Sequence, residues 1–308
     1  MPDEQNVGGT PVAQHSPPRF LALMGIVGMV LVALAMVREG PRRAGGEEPM
    51  DFVQYYYTGW CLDRGLPAYG TIKIDGDLAR ELGWSHSSPM RTANPPAMVC
   101  LTWPLAQIPY PVAWWALSLS SLAMLAGGSW IAARHAGWDR AGALAWAALA
   151  AGSTPTLAFL VLNHIEAPIL ILGVVGWILI REGRARSGAA LWGLAAALKL
   201  FPAFWLLALW RLRDRGAAFV GFAVAAAVTA LGMAAVGWQD TLVFFREALP
   251  QSGAWQSDTA NMSIRSFGTE MLGDPGGIAL TACTAILILG VIFRGSPSPD
   301  RLWCLGLL

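Results

Sequence analysis

The sequence predicts an all-α fold, a polytopic transmembrane helical bundle, and three observations lead there. Hydrophobic residues make up 55% of the 308 residues and charged residues only 13%, about half the charge of a soluble domain. No Asp, Glu, Lys or Arg occurs from Thr92 to Ala133 or from Gly216 to Trp238, and apolar runs of roughly 20 residues are what a bilayer core demands. Compact arginine turns separate the apolar runs. With 21 basic and 20 acidic residues the chain carries no footprint for nucleic acid. Cys61, Cys100, Cys283 and Cys304 show neither a disulfide framework nor metal spacing.

Residues 1–19 are rich in Pro, Gly and Gln and read as a disordered cytoplasmic tail. The first span is 20–37; its apolar core of 18 residues exceeds the 7–15 of a signal peptide, so it reads as a retained anchor. A polar outer loop follows at 38–94, expected to carry amphipathic helices. The transmembrane bundle occupies 95–236, with a short apolar piece at 95–109 and spans at 110–133, 141–162, 165–180 and 217–236. A second outer loop covers 237–275, and 276–308 holds one span and the start of another, as in a C-terminally shortened chain.

Arginines orient the bundle. Arg134/Arg140, Arg181/Arg184/Arg186, Arg211/Arg213/Arg215 and Arg294/Arg301 form four short basic turns, which the positive-inside rule places in the cytoplasm. The two polar loops then lie outside. Arg38, Arg42 and Arg43 after the first span argue locally for the reverse, but the rule weakens in long loops. The same assignment constrains 187–211. Both of its flanking turns are basic, yet it is long enough for one crossing only. Two short helices that enter, turn at Leu198–Pro202 and return resolve this, with Lys199 at the tip facing a watery cavity. The competing reading is a span kinked at Pro202 with a snorkelling Lys199.

The chemistry-bearing candidates are few. Asp51 opens the aromatic segment Asp51-Phe52-Val53-Gln54-Tyr55-Tyr56-Tyr57. It suits either a helix N-cap or a general base beside sugar-binding rings, with Tyr55 one turn along and Tyr56 alongside. Asn163, His164 and Glu166 interrupt an otherwise apolar pair of helices, where ionisable groups are functional candidates or a polar turn. Asn261 and Arg265 lie in the second outer loop, and Arg suits bidentate phosphate binding.

These residues carry a resemblance. Asp51-Phe52-x-x-Tyr55-Tyr56-x-x-Gly59 and Gly65-Leu66-Pro67-x-Tyr69 resemble the first outer loop of glycosyltransferase family 87. These are GT-C class enzymes, mostly described as polyprenyl-phosphate-mannose-dependent mannosyltransferases. Asn94-Pro95-Pro96 with Trp103-Pro104-Leu105-x-x-Ile108-Pro109 resembles the next segment. The closest likeness is Gly188 with Gly193-Leu194-Ala195-Ala196-Ala197-Leu198-Lys199-Leu200-Phe201-Pro202. Asn94, Asn163-His164 and Met262 depart from the family's usual aromatic, Gly-Gln and Gln.

The resemblance implies a hexosyltransferase of the bacterial-type plasma membrane with its active site on the outer face. A hexose, mannose foremost, would pass from a lipid-linked polyprenyl-phosphate donor to a glycolipid or glycan acceptor. Asp51 would be the catalytic base, and Lys199 and Arg265 would bind the donor phosphate. Tyr55, Tyr56, Asn163, His164, Glu166 and Asn261 would bind substrate. No cofactor is expected and no metal is required. The competing classes are a secondary transporter, which also uses broken helices, and a non-catalytic envelope-assembly protein.

Overall fold

In the computed structural model of the chain, the described residues are 19–45, 51–69, 72–74, 88–90, 92, 94–211, 214–251 and isolated positions between 273 and 290. Helices dominate, as the composition predicts. Helix α1 (Arg19–Ala44) is followed by α2 (Asp51–Asp63). A small antiparallel hairpin pairs β1 (Ile72–Ile74) with β2 (Ser88–Met90), Ile72 opposite Met90. Then come α3 (Pro96–Thr102), a 3-10 turn (Trp103–Gln107) and α4 (Tyr110–His135). Helices α5 (Arg140–Ala151) and α6 (Thr154–Leu162) precede α7 (Glu166–Arg181), α8 (Ala185–Leu198) and α9 (Ala203–Arg211). Helix α10 (Arg215–Val236) leads into α11 (Trp238–Val243) and a π-helical turn (Phe244–Ala248).

Local chemistry sets the boundaries. Asp139 caps α5 by accepting from Gly142 N–H at 2.6 Å, and Asp214 caps α10 through Ala217 N–H at 3.0 Å. Pro109 and Pro111 frame the start of α4, where a missing N–H costs nothing. Gly137 (φ 93°) and Gly183 (φ 80°) end α4 and α7. Beyond them Trp138 N–H reaches Ala133 O at 3.1 Å and Arg184 N–H reaches Leu179 O at 2.8 Å, the bonds of a Schellman turn.

Among the described residues, three helices are long and apolar enough to cross a membrane: Phe20–Ala44, Tyr110–His135 and Arg215–Val236. A fourth crossing is available if α5 and α6 act together, although they bend by 58°. The expected straight span 141–162 is thus broken at Gly152-Ser153. There Gly152 meets Gly28 of α1 so closely that a Cβ on Gly28 would stand 2.4 Å from the Gly152 carbonyl oxygen. The first helix also runs beyond the expected Val37 to Ala44, and its last turns pack Gly40 on Trp115. The outer loop, expected to be helical, contains the β hairpin besides α2.

Contacts between helices set direction. Helices α4 and α7 run parallel, because Trp114 meets Asn163, Gly128 meets Ile171 and His135 meets Trp177. Helix α8 runs against α7, with Gly188 on Gly176 and Lys199 on Glu166. Gly221 of α10 touches both Ala189 of α8 and Leu206 of α9. One level of α10 therefore meets the early part of α8 and the middle of α9, so the chain goes up and comes back. Helices α8 and α9 are a re-entrant pair, not one kinked crossing.

It follows that Arg134/Arg140, Arg181/Arg184/Arg186 and Arg211/Arg215 gather at one end of the bundle. Helices α2, α3 and α11 gather at the other, where Ala97 of α3 lies against Gly232 near the end of α10. The turn at Arg294/Arg301 lies outside the described residues. These packed backbones leave room for small residues only, the usual solution where lipid supplies no hydrophobic drive between helices.

Candidate functional site

Lys199 ends α8 in an extended conformation (φ −150°, ψ 137°), and Pro202 three residues later keeps the chain from resuming at once. At 1.5 Å per residue, the 14 residues of α8 lift Lys199 by about 21 Å from the basic end. The 16 residues of α7 place Glu166 at about 24 Å, short of a ~30 Å hydrocarbon core. The two side chains therefore meet at nearly the same height above the basic end of the bundle.

They meet as an ion pair. Lys199 Nζ donates to Glu166 Oε1. His164 Nδ1 lies 3.3 Å from Glu166 Oε2. Their side chains are partly open, with 43% of Lys199, 31% of Glu166 and 26% of His164 accessible. Asn163 is fully buried beside them at φ 55°. Its Nδ2 donates to Trp114 O at 2.9 Å and ties the turn to α4. Four residues from two separate sequence segments thus converge on the re-entrant tip.

A cleft of about 280 Å³ opens beside Glu166. Leu125, Pro155, Ile169, Leu170, Phe201 and Trp205 make most of its wall, and Glu166 is the charged group on it. A wall of this composition is suited to an apolar chain, and the ion pair at its edge to a polar or charged group.

The other expected residues distribute as follows. Asp51 is the first residue of α2; its side chain lies outside the described residues, as do Asn261 and Arg265. Tyr55 and Tyr56 are each only 5% exposed. Expected as a sugar-binding surface, they are packed inside. Tyr56 donates to Ile108 O at 2.8 Å and sets its ring edge-on against Tyr110 at 5.2 Å. Burial pushes its hydroxyl above the usual phenol range. Phe52 packs its ring at a tilt, 5.3 Å between centroids, against Tyr110, one turn before Trp114. The start of α2 and the Glu166–Lys199 pair therefore stand at the same end of α4.

Asp240 was not among the candidates. Its carboxylate accepts from Ala68 N–H at 2.6 Å, and burial raises its pKa, partly offset by that bond. Tyr69 packs on Phe244 at 5.3 Å and donates to Asn94 O at 2.8 Å. The Gly65-Leu66-Pro67-x-Tyr69 segment is thus held by Asp240 and Phe244, with a cleft of about 470 Å³ between 62–67 and 235–240. Nothing in a lone Asp after Trp238-Gln239 signals a partner 172 residues earlier.

The profile of glycosyltransferase family 87 matches residues 92–307, more than two thirds of the chain. The match contains Asn163, His164, Glu166 and Lys199 and begins after α2. No curated protein and no solved structure matches.

Proposed function

The chain belongs to glycosyltransferase family 87 and is a membrane glycosyltransferase; from that premise we propose that it transfers a hexose, mannose foremost, from a polyprenyl-phosphate donor to an acceptor hydroxyl at the outer leaflet. The observation that carries the reading is Lys199, a cation at a re-entrant tip beside an apolar cleft. That arrangement suits a lipid phosphate whose tail lies in the bilayer. Asp51 takes the acceptor proton as the acceptor oxygen bonds to the sugar carbon and the carbon–phosphate-oxygen bond breaks. The lipid phosphate departs with the electron pair, and Lys199, aided by Arg265, meets its growing negative charge. Asn261 hydrogen-bonds substrate, whereas Asn163, expected to do the same, is fully buried and instead holds the turn that carries His164 and Glu166. Tyr55 and Tyr56, buried under α2, hold the helix that carries Asp51. The reading assigns no role to a metal.

The test is transfer itself. Membranes carrying the chain are incubated with labelled polyprenyl-phosphate hexoses, and the product is identified by mass. Transfer from the mannosyl lipid is expected, and Asp51→Asn should lower turnover by about 10²–10⁴-fold, the range of general-base catalysis, with donor binding intact. Near-normal transfer by Asp51→Asn removes Asp51 from the mechanism. No transfer from any such lipid removes the donor class.

A further inference from the structure

Lys199 is not waiting open for a phosphate: Glu166 already occupies it. Glu166 in turn reaches His164 with its second oxygen. We propose that Glu166 is a displaceable counter-ion, released from Lys199 when the donor phosphate binds and taken up by His164, so that donor binding carries a proton into the site. This rests on the donor reading above and adds a positioning role for Glu166 and His164.

Charge bookkeeping leads to it. On this proposal the empty site holds one ammonium and one carboxylate beside an imidazole that has yet to take up its proton. A sugar-phosphate diester adds one negative charge to a half-buried site, where a charge left without compensation is costly. Lys199 and Glu166 are the charged groups that α8 and α7 bring together here, and α1 adds Arg43, close enough to act on the Tyr110 hydroxyl but in no ion pair with Glu166 among the described residues. Helix α6 has no titratable residue along Thr154–Leu162, and α4 presents Tyr110 one turn from Trp114. His164 is then the group that can restore neutrality. Its Nδ1 already faces the Glu166 oxygen that Lys199 does not hold, so the carboxylate needs only to shift its weight from one partner to the other. The apolar cleft beside Glu166 places a lipid tail so that its phosphate arrives at this pair.

The sign follows. His164 binds its proton more tightly in the donor-bound state, so affinity is highest when histidine is protonated and falls as pH rises. The decline approaches tenfold per pH unit for one proton taken up.

The probe is farnesyl methyl phosphate, a diester whose charge is constant across this range, compared with farnesol. Binding to the purified full chain is measured between about pH 5 and 8. The wild type should prefer the diester to farnesol and lose affinity as pH rises. His164→Gln should bind the diester without that pH slope. Glu166→Gln should bind it about tenfold more tightly, also without the slope, because Lys199 no longer has to be released; tenfold corresponds to about 1.4 kcal/mol. A flat pH profile in the wild type, or weaker binding by folded Glu166→Gln, overturns the proposal while leaving the donor reading standing. Equal affinity for diester and farnesol at every pH overturns both.

Discussion

Asn163 combines a backbone requirement with a side-chain one. At φ 55° it occupies the left-handed region, which Asn tolerates better than other non-glycine residues. Its amide holds Trp114 O at 2.9 Å with no exposure to solvent. The two demands separate by substitution. Asn163→Gly keeps the backbone but loses the hydrogen bond, a cost of about 1 kcal/mol. Asn163→Ala loses the bond and adds left-handed strain, for about 2–3 kcal/mol in all. Thermal unfolding of the purified variants should therefore rank wild type, Gly, then Ala. An Ala variant as stable as the Gly variant would show that strain at this turn is relieved. The sequence signals the polar break at Asn163-His164 plainly, since apolar helices flank it. It gives no sign of the Trp114 partner, because a backbone carbonyl 49 positions away leaves no trace in residue type.

Among elements, the re-entrant pair was the most legible. Basic turns on both sides of an apolar stretch too short for two crossings, with Lys and Pro in its middle, admit few folds. What holds the pair could not be read. Gly193 lies so close to Gly221 that a Cβ on it would stand 2.1 Å from the Gly221 carbonyl oxygen. Glycine is frequent in membrane helices, so no single one announces its contact. Gly193→Ala must push α8 from α10, and overpacking of this kind costs about 1–3 kcal/mol. Gly127, on α4, has open space where a Cβ would go, so Gly127→Ala should be neutral or stabilise by about 0.5–1 kcal/mol. Comparing the two by detergent-solubilised yield and melting temperature checks the packing. Equal behaviour would mean that α8 and α10 are not in close contact. The β hairpin was missed for a related reason: strands of three residues are too short for alternation to register.

At the scale of the molecule, the arginine turns and the packing agree without sharing an argument. The turns at 134–140, 181–186 and 211–215 were grouped by charge, and the interhelical contacts independently bring them to one end. The outer layer was less legible. Tyr55 and Tyr56 suggest an exposed sugar-binding surface, but both are buried, together with Phe52 and Tyr110. Sequence distinguishes aromatic from polar, not an interfacial ring from a core ring.

Membrane topology can be tested at two turns and the tip. If α8 and α9 re-enter, single cysteines placed by Arg184→Cys and Arg215→Cys lie on the same side of the membrane. If the segment were one crossing, they lie on opposite sides. This comparison does not depend on which side is outer. The arginine turns add that both face the cytoplasm, so an impermeant thiol reagent should label them only after the membrane is opened. Lys199→Cys, at a side chain 43% accessible, should be labelled from outside. The blank is a chain keeping Cys61 alone: Cys61 is fully buried and burial pushes its thiol up to about 11, so it should remain unreactive near neutral pH. Labelling of 184 and 215 from opposite sides would remove the re-entrant pair. Labelling of 199 only from the cytoplasmic side would keep the pair but turn the site inward, and a donor lipid would then have to approach from the inner leaflet.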